Sequence, residues 1–182
     1  SGMAVLAALM KGLKRTLSST LGNVWVDLTR SILYVLLPIS LILALVLVSQ
    51  GVVQTLQGPA RVQLLEPSRD GQGRLVTEQI IPRGPVASQV AIKQLGTNGG
   101  GHYNANSSHP LENPTPLSNF LQMLSILLIP AALCITFGRI GGDRRQGWAL
   151  LAAMLAILIP LLGVCLWSEQ AGNVSLPAAI VD

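Results

Sequence analysis

Three runs without a charged side chain, Ser31 to Val48, Leu117 to Phe137 and Gly147 to Trp167, constrain this chain more than any other feature. Each reaches the roughly 18 to 20 residues that an α-helix needs to cross the hydrocarbon of a bilayer. A soluble domain would have to bury all three in one core. The composition leaves too little to cover them: 50% of the 182 residues are hydrophobic and 11% are charged, against about 25% charged in soluble domains. The runs therefore predict membrane-spanning helices in contact with lipid. The net charge of +4 does not point to nucleic acid, because the basic residues flank apolar runs and lack interleaved aromatics.

Charge placement supplies a direction. Lys11, Lys14, Arg15 and Arg30 precede the first run, and Arg139, Arg144 and Arg145 fill the short connection between the second and third. Excess Lys and Arg in short loops marks the cytoplasmic side, so the segment between the first two runs is expected outside. Its own Arg61, Arg69, Arg74 and Arg83 are balanced by Glu66, Asp70 and Glu78. Pro38 is tolerable in a helix in lipid, Pro130 is a candidate kink, and Trp148 and Trp167 lie near opposite ends of the third run as an aromatic belt would have them.

Residues 1–10 are apolar but too short to span, with neither a positively charged start nor a cleavage site, and read as the end of a truncated transmembrane helix. The chain is thus expected to be a piece of a larger protein. Residues 11–30 read as a cytoplasmic or interfacial segment. Within it, Leu21, Val24, Trp25 and Leu28 at helical spacing suit either an interfacial amphipathic helix or a helix packed on its neighbours. The expected order continues with a transmembrane helix over 31–49, an external cap over 50–84, spans over 117–138 and 147–167 joined by a cytoplasmic loop at 139–146, and an external tail over 168–182. In the cap, Val62 to Leu65 and Leu75 to Thr77 around Asp70-Gly71-Gln72-Gly73 predict a hairpin.

The stretch between cap and second span carries the chemistry. Gly84-Pro85 opens a short helix over 85–96, whose ten or so helical residues give roughly 15 Å at 1.5 Å per residue, so that it enters a bilayer without crossing it. Thr97-Asn98-Gly99-Gly100-Gly101 follows at its C-terminus. Contiguous glycines free the backbone to turn several carbonyls toward one point, and the negative end of the helix dipole favours a cation there. Non-helical backbone at membrane depth is tolerated where protein buries it or where it lines a watery cavity. Residues 97–101 therefore read as an ion-selectivity element, and Asn106, on the irregular return limb 102–116, is near enough to add a side-chain oxygen.

Other residue patterns have plainer readings. Lys93 would repel a cation unless it pairs with a carboxylate or snorkels to water. His102 and His109 have no Cys or paired acid between them and read as polar contacts rather than a metal site, while Cys134 and Cys165, inside apolar runs, read as packing. Gly141-Gly142 with its arginines lacks the Gly-Lys-Ser/Thr of a phosphate loop, and the triplets Asn106-Ser107-Ser108 and Asn173-Val174-Ser175 are too short to carry weight as glycosylation sites.

A family resemblance sharpens these expectations. Gly84-Pro85-Val86-Ala87-Ser88-Gln89, Ala91-Ile92-Lys93, Leu95-Gly96-Thr97-Asn98-Gly99-Gly100-Gly101, Asn104-Ala105-Asn106-Ser107, His109-Pro110 and Glu112-Asn113-Pro114-Thr115-Pro116-Leu117 closely resemble the KdpA family, the potassium-binding subunits of the bacterial Kdp pump. So do Gly22-Asn23, Trp25-Val26-Asp27-Leu28 and Gly142-Asp143-Arg144-Arg145-Gln146-Gly147-Trp148-Ala149.

The resemblance implies an all-α polytopic membrane protein built of helix–pore-loop–helix repeats of the potassium-channel type, here the second repeat with a small irregular external cap. It implies that Thr97, Asn98 and Gly99 supply carbonyls to potassium, that Gly100 and Gly101 shape the loop, and that Asn106 adds an oxygen. It further implies a non-catalytic subunit of the bacterial inner membrane with no ATP site, surrounded by lipid. Such a subunit passes potassium through an intramembrane tunnel to the P-type ATPase KdpB, with the accessory proteins KdpC and KdpF completing the complex. The family usually has two aromatics after the glycines, where this chain has His102-Tyr103. Two readings compete: a stand-alone potassium channel or cotransporter, and an assembly scaffold whose glycines permit helix packing. The latter prefers glycines spaced along a span over contiguous ones.

Overall fold

The computed structural model describes residues 2–14, 22–103 and 106–171. Along them run helix α1 (Gly2–Lys14), helix α2 (Val24–Ser49), strands β1 (Ala60–Arg69) and β2 (Leu75–Ile81), helix α3 (Val86–Gly96), and helices α4 (Pro116–Gly141) and α5 (Arg144–Gln170). Helices α2, α4 and α5 are long and apolar enough to cross a membrane. Their outer faces leave Leu41, Ile42, Leu45, Ile157 and Leu161 exposed, an apolar surface suited to lipid or further protein rather than water.

Side-chain caps, rather than the ends of the uncharged runs, set the helix boundaries. Asn23 starts α2, its Oδ1 accepting the amides of Trp25 and Val26 at 3.0 and 3.3 Å. The expected separation of 11–30 from the span at 31 is thereby corrected. Asp27 is accommodated in the first turns because Lys11 of α1 pairs with it. Residues 15–21 of that segment lie outside the described residues. Between Ser31 and Leu36 the helix widens into π geometry, with the Leu37 amide bonding back to the Ile32 carbonyl. Pro38 follows at once and has no amide to offer the preceding turn, so the wider winding relieves the contact between its ring and that turn.

The expected loop 139–146 contracts to Gly142 and Asp143. Gly142 takes φ +87° to end α4, and Asp143 Oδ1 accepts the Arg145 amide at 2.9 Å to start α5. The far end of α5 runs to Gln170, past the expected boundary at 167, and residues 172–182 of the expected tail, with Asn173, lie outside the described residues.

The cap corrects an all-α description. Strands β1 and β2 form an antiparallel hairpin, with Ala60 opposite Ile81 and Gln63 opposite Glu78, and its register shifts between Gln63 and Ser68. Pro67 falls in that irregular stretch, where it has no ladder bond to break. In the turn, the Arg74 amide foremost, then the Gln72 amide and the Arg74 guanidinium, holds Asp70 below the usual carboxylate range despite opposing desolvation.

Helix α3 is the most enclosed element. Val86, Ala87, Val90, Ala91 and Leu95 are buried against Leu43, Leu47, Val52 and Ile129. Its free first-turn amides find partners in the segment after α2: Ala87 donates to the Val53 carbonyl at 2.9 Å and Ser88 to Gln54 Oε1 at 3.0 Å. The start of α4 is tied to the end of α2 by Thr115, whose hydroxyl donates to Gln50 Oε1 at 3.0 Å and accepts the Ser118 amide at 3.0 Å. Thr115→Ala is expected to cost about 1 kcal/mol, typical of a lost N-cap. The thermal unfolding midpoint of the full-length protein should fall accordingly, and Thr115→Ser should stay close to wild type.

Candidate functional site

Helix α3 ends at Thr97, in left-handed conformation at φ +49°. Gly99 also has positive φ, at +74°, and Asn98 and Gly100 between and after do not. Alternation of hand sends successive residues to opposite sides of the loop. Thr97 and Gly99 line a cleft of about 490 Å³ with Asn106, Asn113, Asn119 and Gln122. Asn98, Gly100 and Gly101 line one of about 220 Å³ with Gln89 and Ile92. All six expected site residues therefore border these two clefts, with Asn106, itself at φ +49°, beside Thr97 and Gly99.

Three of the five amides of the loop have acceptors among the described residues. Thr97 N–H donates to the Gln94 carbonyl and Asn98 N–H to the Lys93 carbonyl, both at 3.3 Å, while Gly100 N–H donates to Asn98 Oδ1 at 3.1 Å. The amides of His102 and Tyr103 both donate to Glu112 Oε1, at 2.9 and 3.2 Å. Among the described residues, no hydrogen bond reaches the carbonyl of Thr97, Asn98, Gly99, Gly100 or Gly101. In a planar trans peptide the N–H and the preceding C=O point in opposite directions. The carbonyls of Thr97, Gly99 and Gly101 are thus directed away from the protein acceptors that hold the amides of Asn98, Gly100 and His102. At these three peptides the oxygen is presented and the donor hidden, while the amides of Gly99 and Gly101 find no acceptor among the described residues.

Of the two arrangements expected for Lys93, a carboxylate partner or snorkelling to water, the structure has the partner. Its ammonium is buried, pairs with Glu112 Oε2 at 3.3 Å and also donates to Ser107 Oγ. Gln94 Nε2 donates to Ser107 Oγ and to Gln122 Oε1, each at 2.9 Å, and Gln122 Nε2 donates to the Glu112 carbonyl at 2.9 Å. Nothing in the local sequence around Glu112, Ser107, Gln94 or Gln122 marks them for this role. The one signal toward them is Lys93 itself, since an ammonium on an apolar helix demands a carboxylate nearby.

His102-Tyr103 is held in place by packing. The Tyr103 ring stacks on His109 at 4.0 Å, its hydroxyl donates to the Pro82 carbonyl at 2.7 Å, and the His102 ring lies so close to Gly84 that an added Cβ there would sit 2.6 Å from Cε1. His109 Nδ1 accepts the Leu111 amide at 3.1 Å.

The family model described as KdpA, the potassium-transporting ATPase A subunit, matches residues 1–181. Among similar proteins, the potassium-transporting ATPase potassium-binding subunit of Sorangium cellulosum is 64% identical over 182 residues, covering 100% of this chain and 31% of that protein. The protein of the same name from Herpetosiphon aurantiacus is 60% identical over 173 residues, covering 95% of this chain and 30% of its own length. That of Methylococcus capsulatus is 54% identical over 202 residues, covering 100% and 34%. The chain thus spans about a third of the length of these curated relatives.

Proposed function

Because the chain belongs to the KdpA family, the A subunits of potassium-transporting ATPases, we propose that residues 97–101 form a potassium-selectivity element, with α3 as its pore helix and α2 and α4 as flanking helices of one repeat. The observation that carries this reading is the state of the loop's polar groups: protein acceptors hold the amides of Thr97, Asn98, Gly100 and His102, and the carbonyls of residues 97–101 accept no hydrogen bond among the described residues. Such oxygens can replace the hydration shell of a monovalent cation and release it again. The C-terminal end of α3 adds partial negative charge at the same place. A packing role for Gly99 is disfavoured, since nothing among the described residues lies within 4 Å of where its Cβ would be.

One repeat supplies part of a ring, and the remaining repeats belong to the rest of the full-length protein. The Gln50–Thr115 contact ties one end of α2 and α4, and Arg30 and Arg139 lie toward the other ends of those helices. By the positive-inside rule the loop end faces outward from the bacterial inner membrane. In this reading the protein is a non-catalytic component: it accepts external potassium and passes it through an intramembrane tunnel to the P-type ATPase KdpB, in a complex with KdpC and KdpF.

The test is a cation titration of turnover by the complete transporter. Half-saturation should be reached at low potassium and not at matched sodium. Asn106→Ala should raise the half-saturating potassium concentration by about two- to tenfold, the worth of one oxygen ligand at roughly 0.5–1.5 kcal/mol. Equal response to sodium and potassium would refute the reading.

A further inference from the structure

We propose that Glu112, neutralised by Lys93, is the positioning residue that sets the ion preference of the loop, an inference that rests on residues 97–101 being the potassium site. Glu112 is fully buried and Lys93 is 4% exposed. The carboxylate joins three segments of chain. Oε1 takes the amides of His102 and Tyr103, Oε2 takes the ammonium from the last turn of α3, and the residue's own amide donates to the His109 carbonyl at 2.9 Å on the return limb.

Peptide planarity converts this grip into carbonyl direction. While Oε1 holds the His102 amide, the carbonyl of Gly101 in the same peptide unit must face away from Glu112, and the Tyr103 amide fixes the His102 carbonyl likewise. Without the acceptor, either peptide could rotate and disturb the turn that anchors the C-terminal end of residues 97–101. The pairing with Lys93 governs the field. A Cβ on Gly101 would lie 3.1 Å from Lys93 Nζ and 3.4 Å from Glu112 Oε1, so both charges sit beside the loop. An unpaired ammonium there would repel the entering ion, and an unpaired carboxylate would hold it too firmly to let it leave. The neutral pair orients the backbone without imposing a net charge on the site.

The experiment uses the full-length protein in its complete transporter, with turnover titrated by potassium, rubidium and sodium and the amount of assembled complex measured separately. Glu112→Gln keeps an acceptor oxygen for the two amides and strands the ammonium. It should raise the half-saturating potassium concentration roughly tenfold or more and narrow the preference for potassium over sodium, with maximal turnover much less affected. The double variant Lys93→Gln with Glu112→Gln removes both charges and retains the acceptor, so it should recover most of the affinity and the cation ranking. A merely structural role would alter assembly and leave half-saturation and ranking where they were. Wild-type values in an assembled Glu112→Gln complex, or a double variant no better than the single one, would overturn the proposal; where the single variant does not assemble, the double variant decides. Gly99→Ala in the same series separates the two levels: a shift there with none at Glu112 overturns the clamp alone, and no shift at either overturns the loop reading with it.

Discussion

Gly99→Ala in the full-length protein is expected to raise the half-saturating potassium concentration about five- to thirtyfold while leaving the complex assembled. The glycine holds φ +74°, and an added Cβ would meet nothing within 4 Å. No clash with neighbours arises, so the whole penalty is conformational, about 1–2 kcal/mol for an L-residue in the left-handed region. Relaxing to negative φ would abolish the alternation that puts Thr97 and Gly99 on one side of the loop and Asn98 and Gly100 on the other. A penalty of that size corresponds to a factor of about 5–30 in an equilibrium. Gly71→Ala, in the hairpin turn at ordinary φ and with open space around it, supplies the control and should titrate as wild type.

Gly147→Leu should abolish or severely reduce recovery of folded protein. At the α4–α5 crossing a Cβ on Gly147 would lie 2.7 Å from the Cys134 carbonyl oxygen, and one on Gly138 would lie 2.8 Å from the Gly147 nitrogen. The obstacles are backbone atoms of the facing helix, which cannot step aside as a flexible side chain can. Overpacking ordinarily costs about 1–3 kcal/mol and more where nothing can yield; here the two helices must separate beside their two-residue turn. A Cβ on Gly163 of the same helix would meet nothing within 4 Å among the described residues, and Gly163→Leu should be neutral. Monodisperse yield after detergent extraction and the thermal unfolding midpoint distinguish the pair, and equal behaviour of the two variants would contradict the close crossing.

The spans were legible because a bilayer forbids charge, and their limits were less so because charge is not what ends a helix. Asp27 and Arg30 fall inside α2, and Arg139 inside α4, once Asn23 and Gly142 are recognised as the caps. The short helix over 85–96 was readable from Gly84-Pro85 at one end and the glycines at the other, and the observed Val86–Gly96 follows those signals. That Lys93 would pair with a carboxylate or snorkel to water was likewise readable; which of the two, and which carboxylate, was not, because Glu112 stands 19 residues away and reaches it through the fold of the return limb. Gly138 and Gly147 escaped notice for a related reason. Their spacing has no meaning along one helix and acquires it when the turn at Gly142-Asp143 folds two helices together.

The central claim is that the carbonyls of residues 97–101 hold a dehydrated monovalent cation. Anomalous scattering from thallium, a heavy stand-in for potassium, in crystals of the complete transporter tests it most directly. The account predicts a peak within coordination distance of the Thr97, Asn98 and Gly99 carbonyls that vanishes when excess potassium is added. A loop without a peak, its carbonyls bonded instead to amides of the neighbouring repeats, would contradict it.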